Sequence, residues 1–227
     1  IKRFVEEREL TMMLACDISG SLHFGSRNKL KNRIAAELSA LFAFSALQNN
    51  DKAGIMLFSD QPELYIPPRK GRKHVLRLVR EILAHEPRHR GTDIAACLDN
   101  LNRVLKRKGI LIIISDFADD KDYAKPLRLA ARRHDLIPVY LEDPLEAALP
   151  KLGAVLQTVD PETGELCSWD LSSESTRRAL RQKREERLER LNKLFTSMGV
   201  DWIRIDSSGS LIDPVVRFFK NRAKKLK

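Results

Sequence analysis

Short apolar runs along the chain alternate with longer segments in which apolar residues recur at helical spacing. The apolar runs predict buried strands over residues 10–17, 53–58, 110–115, 136–141 and 202–205. The segments with helical spacing predict helices over residues 30–47, 73–83, 93–106, 124–133, 174–197 and 211–225. Strands that alternate with helices favour a mostly parallel sheet covered on both faces. We therefore predict an α/β fold, a Rossmann-like three-layer sandwich.

Two segments depart from this alternation. Residues 63–66 form a short β-like run before Pro67 and Pro68, which predicts an antiparallel edge strand that the two prolines end, because edge strands tolerate proline. The stretch 152–171 holds two β-like runs around a turn at residues 160–164, which predicts an inserted hairpin. No repeat or low-complexity linker divides the sequence, so a single domain over residues 1–227 is expected.

Oxygen-bearing side chains stand where two predicted strands end and where one predicted helix begins. Asp17, Ser19 and Ser21 follow the first strand, Asp116 follows the run at 110–115, and Thr92 precedes the helix at 93–106. Open parallel sheets bind ligands outside the carboxyl ends of their strands, where neighbouring crossovers leave in opposite directions. Carboxylate and hydroxyl oxygens suit Mg²⁺, Mn²⁺ and Ca²⁺. With no evident Lys or Arg between them, the two aspartates would repel one another, which would raise at least one carboxyl pKa.

Each of these residues also has an ordinary structural interpretation. Asp17, Ser19 and Ser21 are typical of a turn with capping side chains. Thr92 alone is more typical of a helix N-cap, a role compatible with that of a ligand, and Asp116 alone is compatible with a cap at a strand end. Spacing alone leaves these alternatives open.

The full set resembles a known kind of metal site. Asp17-x-Ser19-x-Ser21 with Thr92 and Asp116 resembles the metal-ion-dependent adhesion site of von Willebrand factor A domains. Residues 6–11, 57–60, 66–71 and 114–117 are similar to the bacterial and archaeal domain-of-unknown-function family number fifty-eight, whose members contain such a domain and are usually linked to MoxR-type AAA+ ATPases. The resemblance covers residues 1–145 well and only general architecture beyond residue 150. Such proteins usually carry a further N-terminal segment, so the sequence is compatible with a fragment.

The resemblance implies a function as well as a fold. All five residues would hold one divalent cation, Mg²⁺ or alternatively Mn²⁺ or Ca²⁺, with a position open for a carboxylate from an acidic partner surface. The expected function is a cation-dependent protein–protein interaction module, not an enzyme, which works with a MoxR-type ATPase in assembling or remodelling a client. Arg88, His89 and Arg90 would form a basic rim that steers the partner, although a solvated loop explains them as well.

Composition gives one argument for nucleic-acid binding and one against it. The net charge of +10 favours anionic partners, but aromatic residues are only 6% and are nearly missing from the basic runs, so no specific nucleic acid is expected. No apolar run reaches about 18 residues, so no transmembrane segment is predicted. Cys16, Cys97 and Cys167 lack zinc-site spacing and predict reduced thiols in a cytoplasmic protein.

A metal-dependent hydrolase acting on phosphate esters is the other alternative. Such an enzyme needs a positioned base or nucleophile beside the metal. Only His23 and His89 fall near the predicted site, and neither belongs to a recognisable catalytic signature. Binding is therefore favoured over catalysis. Asp119, Asp120 and Asp122 are predicted to favour the start of the next helix.

Overall fold

The computed structural model describes residues 9–25, 29–147, 151–159, 161–162 and 164–225. Its strands are β1 (Thr11–Asp17), β2 (Lys52–Phe58), β3 (Pro62–Arg69), β4 (Ile110–Ser115), β5 (Asp135–Glu142), β6 (Val155–Val159), β7 (Leu166–Asp170) and β8 (Ile203–Asp206). Its helices are α1 (Lys31–Gln48), α2 (Arg72–Ala84), α3 (Ile94–Val104), α4 (Ala124–Arg133), α5 (Pro144–Ala147), α6 (Glu174–Ser197) and α7 (Ile212–Lys225). Within these ranges, no helix is long and apolar enough to span a bilayer.

The main sheet has the strand order β3-β2-β1-β4-β5-β8. Every neighbouring pair is parallel except β2 and β3. Side chains of α1, α2 and α7 pack on one face of the sheet, and those of α3, α4 and α6 pack on the other. Because β1 and β4 are buried on both faces, they are almost continuously apolar. The predicted three-layer α/β sandwich with one antiparallel edge strand is confirmed.

The edge strand is longer than the sequence predicts. β3 continues through Pro67 and Pro68 to Arg69, which pairs with Ala53, so the prediction that the prolines end it is wrong. The register shifts between Ala53 and Ile55, as a bulge does. Gly54 permits this path, because a Cβ there would lie 2.7 Å from the Pro68 nitrogen.

The predicted inserted hairpin is present. β6 and β7 pair antiparallel in a separate two-stranded sheet, and the Trp169 indole donates to the Thr158 hydroxyl at 3.0 Å. Of its turn, Asp160 and Thr163 lie outside the described residues, whereas Pro161 and Glu162 are described. The extent of the domain stays a prediction.

The sheet places β1 beside β4 at a topological switch point. The crossover through α1 carries the chain from β1 to β2, and the crossover through α4 carries it from β4 to β5 on the opposite side. A crevice therefore opens at the carboxyl ends of β1 and β4. The residues that follow these two strands build the site.

Candidate metal centre

Asp17, the last residue of β1, is fully buried with both carboxylate oxygens engaged. The Ser19 amide donates to Oδ1 at 2.8 Å, and the Ser115 hydroxyl donates to Oδ2 at 2.6 Å. Cys16 pairs with Ile114 in the parallel register, which brings the next residue of β4, Ser115, beside Asp17. Sequence reasoning missed Ser115; its signal was a polar residue that ends an isoleucine run.

Hydroxyl groups connect Asp17 to Asp116 across the crevice. The Ser19 and Ser21 hydroxyls lie 3.1 Å apart, and the Ser21 hydroxyl donates to Asp116 Oδ1 at 3.3 Å. Both contacts are long for hydrogen bonds between oxygens, which cluster near 2.7–2.8 Å. Four of the five predicted residues thus form one chain of polar contacts, and their oxygens are not tightly committed to one another.

Thr92 reaches the centre from a separate loop. It is buried but does not cap α3, because the Asp93 side chain is the N-cap and accepts from the Ala96 amide at 2.7 Å. The N-cap interpretation of Thr92 is therefore wrong. Its hydroxyl instead donates to Glu162 Oε1 at 2.7 Å, and its loop joins the serine loop through the Gly20 amide, which donates to the Arg90 carbonyl at 2.7 Å.

A lysine pairs with one of the two aspartates, Asp116, so the expectation that no cation accompanies them is wrong. Lys31, the first residue of α1, is 2% exposed. Its ammonium donates to Asp116 Oδ2 at 2.7 Å and to Glu146 Oε1 at 2.6 Å. A lysine in the first turn of a helix opposes the helix dipole, and that unfavourable position was the available signal.

The carboxyl groups of the centre have opposite pKa shifts. Burial, and next the charge of Asp116, raise the pKa of Asp17 to about 7. Burial alone would also raise the pKa of Asp116, but the charge and hydrogen bond of Lys31 outweigh it and lower that pKa. The expected rise at one aspartate therefore agrees with the structure, although burial contributes more than repulsion.

The chain turns sharply after Asp116. Phe117 has φ of 50°, a left-handed conformation that is costly for a bulky residue. The Phe117 amide donates to the Ser115 hydroxyl at 2.9 Å, and the Ala118 amide donates to Asp116 Oδ1 at 3.2 Å. The Phe117 ring packs against Phe195, with centroids 5.6 Å apart. These contacts hold the strained turn that directs Asp116 into the crevice.

The loop predicted as the basic rim is held in place by hydrogen bonds to its backbone, and the arginines at its two ends are exposed. The buried Glu63 carboxylate accepts from the Arg88 amide at 2.9 Å and from the His89 amide at 3.3 Å. Burial would raise the pKa of Glu63, but these bonds and those from Ser59 and His85 lower it. Glu63 was missed by sequence reasoning, and the role of the rim in partner binding stays a prediction.

The acidic stretch after Asp116 serves two helices. The Asp122 carboxylate accepts from the Ala124 amide of α4 at 2.9 Å, as predicted. Asp119 instead accepts from the Ile94 amide of α3 at 2.8 Å, so the prediction that it favours α4 is wrong. The stretch also lines a cleft of about 460 Å³ beside Ser21, which is lined as well by Lys183, Arg187 and Arg190 of α6 and by Glu162.

The donor set fits a hard divalent cation. The described ranges contain no group of three or more His, Cys, Asp or Glu side chains that would hold a metal by themselves. The candidate centre instead combines two carboxylates with three hydroxyls, all oxygen donors of the kind Mg²⁺, Mn²⁺ and Ca²⁺ accept. The long contacts of the Ser21 hydroxyl with Ser19 and with Asp116 leave lone pairs for an ion, so the residues present fit a cation of this class.

Sequence comparison places the chain in a family. The family described as "Protein of unknown function DUF58" matches residues 1–190. The chain belongs to this family. The uncharacterized protein Mb1516 of Mycobacterium bovis is 30% identical over 166 residues, which is 72% of this chain and 52% of the relative. This DUF58 chain therefore spans about half the length of the first curated relatives that it matches.

Two solved structures share the fold of this DUF58 chain. The conserved hypothetical protein BatB from Bacteroides thetaiotaomicron has a TM-score of 0.61 at 16% identity and covers 95% of this chain and 99% of its own. An aerotolerance-related membrane protein from Bacteroides fragilis, crystallised with multiple mutations to serines, has a TM-score of 0.60 at 18% identity, with 88% and 92% coverage. At these identities the similarity shows the fold alone.

Proposed function

We propose that this domain is a divalent-cation-dependent protein–protein interaction module. Asp17, Ser19, Ser21, Thr92 and Asp116 hold Mg²⁺, with Mn²⁺ or Ca²⁺ as alternatives, and an acidic partner surface supplies a carboxylate to the ion. The observation that carries the proposal is the chain of polar contacts from Asp17 to Asp116 at the switch point. It joins hard oxygen donors from two adjacent strands without a tight bond between them.

Neutral hydroxyls support binding rather than catalysis. Three of the five proposed ligands carry no charge, so a bound cation keeps much of its positive charge and attracts a further carboxylate. Among the described contacts, the His23 ring meets the Ser19 carbonyl at 3.3 Å, and the His89 ring meets Gln61 and Asp60. These contacts hold no histidine against a nucleophile, so they give the hydrolase alternative no support.

The proposed partner is a MoxR-type AAA+ ATPase or a client that the pair assembles or remodels. This choice rests on the family resemblance of the sequence, and the organised basic rim supports an acidic docking surface. A cytoplasmic location completes the proposal, because an ATPase partner works there and the buried Cys16 and Cys97 are free thiols.

Metal binding is tested by calorimetry with Mg²⁺ and Mn²⁺. The expected result is one site in the wild type that is lost or greatly weakened in Asp17→Ala. Asp143→Ala is the matched control, because Asp143 is equally buried just beyond β5 at the same sheet edge and bonds Ser207 and the Leu145 amide. Equal affinity in the wild type and Asp17→Ala would refute the assignment.

Partner binding is tested with the MoxR-type ATPase as the immobilised probe. We expect binding that needs Mg²⁺, that is lost in chelator, and that weakens in Thr92→Ala. The double variant Arg88→Glu with Arg90→Glu should mainly slow association and reduce its salt sensitivity, because rim charges act on encounter. A folded Thr92→Ala protein that binds normally in chelator would exclude the metal bridge.

The control for the rim keeps the same change in charge. Arg103→Glu with Arg107→Glu alters two exposed arginines at the opposite edge of the parallel strands, one in the last turn of α3 and one in the connection to β4. This double variant should associate at the wild-type rate. If both double variants slow association equally, net charge rather than the rim controls encounter, and a salt-dependent preference for DNA would then favour the nucleic-acid alternative.

A further inference from the structure

The turn of the β6–β7 hairpin lies directly on the candidate centre. Glu162 Oε1 accepts from the Thr92 hydroxyl at 2.7 Å. The adjacent Pro161 carbonyl lies over Gly20, between the two serines, so closely that a Cβ on Gly20 would stand 2.2 Å from its oxygen. Only glycine permits this approach. Two neighbouring residues of the turn therefore meet two of the three loops that build the centre.

The strands of the hairpin do not explain why its turn is held there. Val155, Val159 and Leu166 remain 61%, 57% and 76% exposed, so these apolar side chains bury little surface. The contacts of Pro161 and Glu162 with the centre help to hold the turn in place. A hairpin that buries little apolar surface opens more readily than a core element. Its turn can therefore exchange between a seated position, in contact with the centre, and a displaced position away from it.

The separation between Glu162 and Thr92 fits two ligands of one ion. Adjacent octahedral positions with Mg²⁺–oxygen bonds of 2.0–2.1 Å lie about 2.9 Å apart. The distance of 2.7 Å between Glu162 Oε1 and the Thr92 hydroxyl is close to this value. Glu162 also lines the cleft beside Ser21 and is only partly buried.

We propose that Glu162 is an internal carboxylate ligand of the cation, occupying the position that an acidic partner takes. This inference rests on the proposed function and adds competition to it. A tethered carboxylate acts at a high effective concentration. The partner must displace it, so the partner's apparent affinity equals its intrinsic affinity multiplied by the fraction of molecules in which the hairpin is displaced. The hairpin therefore keeps the centre closed to weakly acidic surfaces.

The test uses Mn²⁺ as the probe, with water-proton relaxation to count the waters bound to the ion. Glu162→Ala should bind Mn²⁺ several-fold more weakly and hold about one more inner-sphere water than the wild type. Acetate, a free carboxylate, should then displace water in Glu162→Ala at concentrations that leave the wild type unchanged. Glu165→Ala is the matched control, because Glu165 is an exposed glutamate of the same hairpin; it should behave as the wild type.

The ATPase provides a second readout. If the hairpin is seated in about nine molecules of ten, Glu162→Ala should bind the partner roughly tenfold more tightly in Mg²⁺. Asp17→Ala distinguishes a failure of the proposed metal centre from a failure of Glu162 as its internal ligand. Mn²⁺ binding that is independent of Asp17 overturns the proposed centre itself. Binding that depends on Asp17 but shows the same hydration and acetate response in Glu162→Ala, Glu165→Ala and wild type overturns the internal ligand alone.

Discussion

Replacing Lys31 with methionine tests whether its ammonium is the permanent counter-charge of the centre. Lys31 is 2% exposed and bonds both Asp116 and Glu146, at 2.7 and 2.6 Å. Methionine keeps much of the side-chain volume but leaves two carboxylates without their shared cation. Removing one partner of a buried ion pair costs roughly 3–5 kcal/mol, because the remaining charge is buried and uncompensated. We expect a loss of unfolding free energy of about this size in chelator.

The expected loss is large enough to measure by thermal unfolding. For a chain of this length, 1 kcal/mol corresponds to about 2–4 °C in the melting temperature. Lys31→Met should therefore melt about 6–20 °C below the wild type in chelator. Saturating Mg²⁺ should recover more stability in the variant than in the wild type, since the ion supplies positive charge beside Asp116. The variant is purified in Mg²⁺ and then transferred to chelator.

A matched variant separates this effect from the loss of any lysine. Lys29→Met removes a salt bridge to Glu37 in which the lysine side chain is 42% exposed, and such surface pairs contribute about 0–1 kcal/mol. It should lose little stability and keep the wild-type response to Mg²⁺. If Mg²⁺ stabilises Lys31→Met no more than Lys29→Met, then Lys31 and the ion do not share Asp116, and the reasoning fails.

Three further predictions follow from the same contacts. In chelator, the raised pKa of Asp17 favours the folded state at low pH, and this contribution to the free energy of unfolding is lost as pH rises from about 4 to about 7. Urea unfolding should show that the free energy of unfolding falls less steeply over this pH range in Asp17→Asn. Glu63→Gln should speed amide hydrogen exchange at Arg88 and His89, and unchanged exchange there would contradict its anchoring role. Asp119→Ala should lose about 1 kcal/mol in urea unfolding, because the Ile94 amide in the first turn of α3 loses its acceptor, whereas a similar loss in the exposed Asp120→Ala would contradict this.

The carboxyl edge of the sheet was predictable because local pattern and topology agree there. β1 and β4 are apolar runs that end at Asp17 and Ser115, and both runs were predicted to within one residue. Adjacent parallel strands end at the same edge of the sheet, so the serine loop and Asp116 had to meet. The assignment of these residues as metal ligands is a further step and stays a prediction.

The charged side chains that reach the site from distant parts of the sequence, Lys31 and Glu162, were not predictable in the same way. Lys31 lies 85 residues from Asp116, and Glu162 lies 70 residues from Thr92. No periodicity connects such pairs, because their meeting depends on how α1 packs on the sheet and on where the hairpin turn meets the loops that hold Gly20 and Thr92. The alternative interpretation of Thr92 as an N-cap was wrong for a related reason. The neighbouring Asp93 is an equally good N-cap, and only the three-dimensional path of the loop decides between them.

The charge balance of the centre favours both a bound cation and a carboxylate ligand that can be exchanged. The centre gathers four carboxyl groups, those of Asp17, Asp116, Glu146 and Glu162, of which Lys31 bonds two. The charge of Arg187 on α6 also acts on Asp116 and Glu146. Raising the pKa of Asp17 towards neutrality relieves part of the excess negative charge. A divalent ion would remove more of it and would favour the ionised form of Asp17, so metal binding should release protons near neutral pH. With the ion in place, Glu162 would be the carboxylate whose exchange costs least, because it lies on a partly exposed turn whereas Asp17 and Asp116 are buried at strand ends.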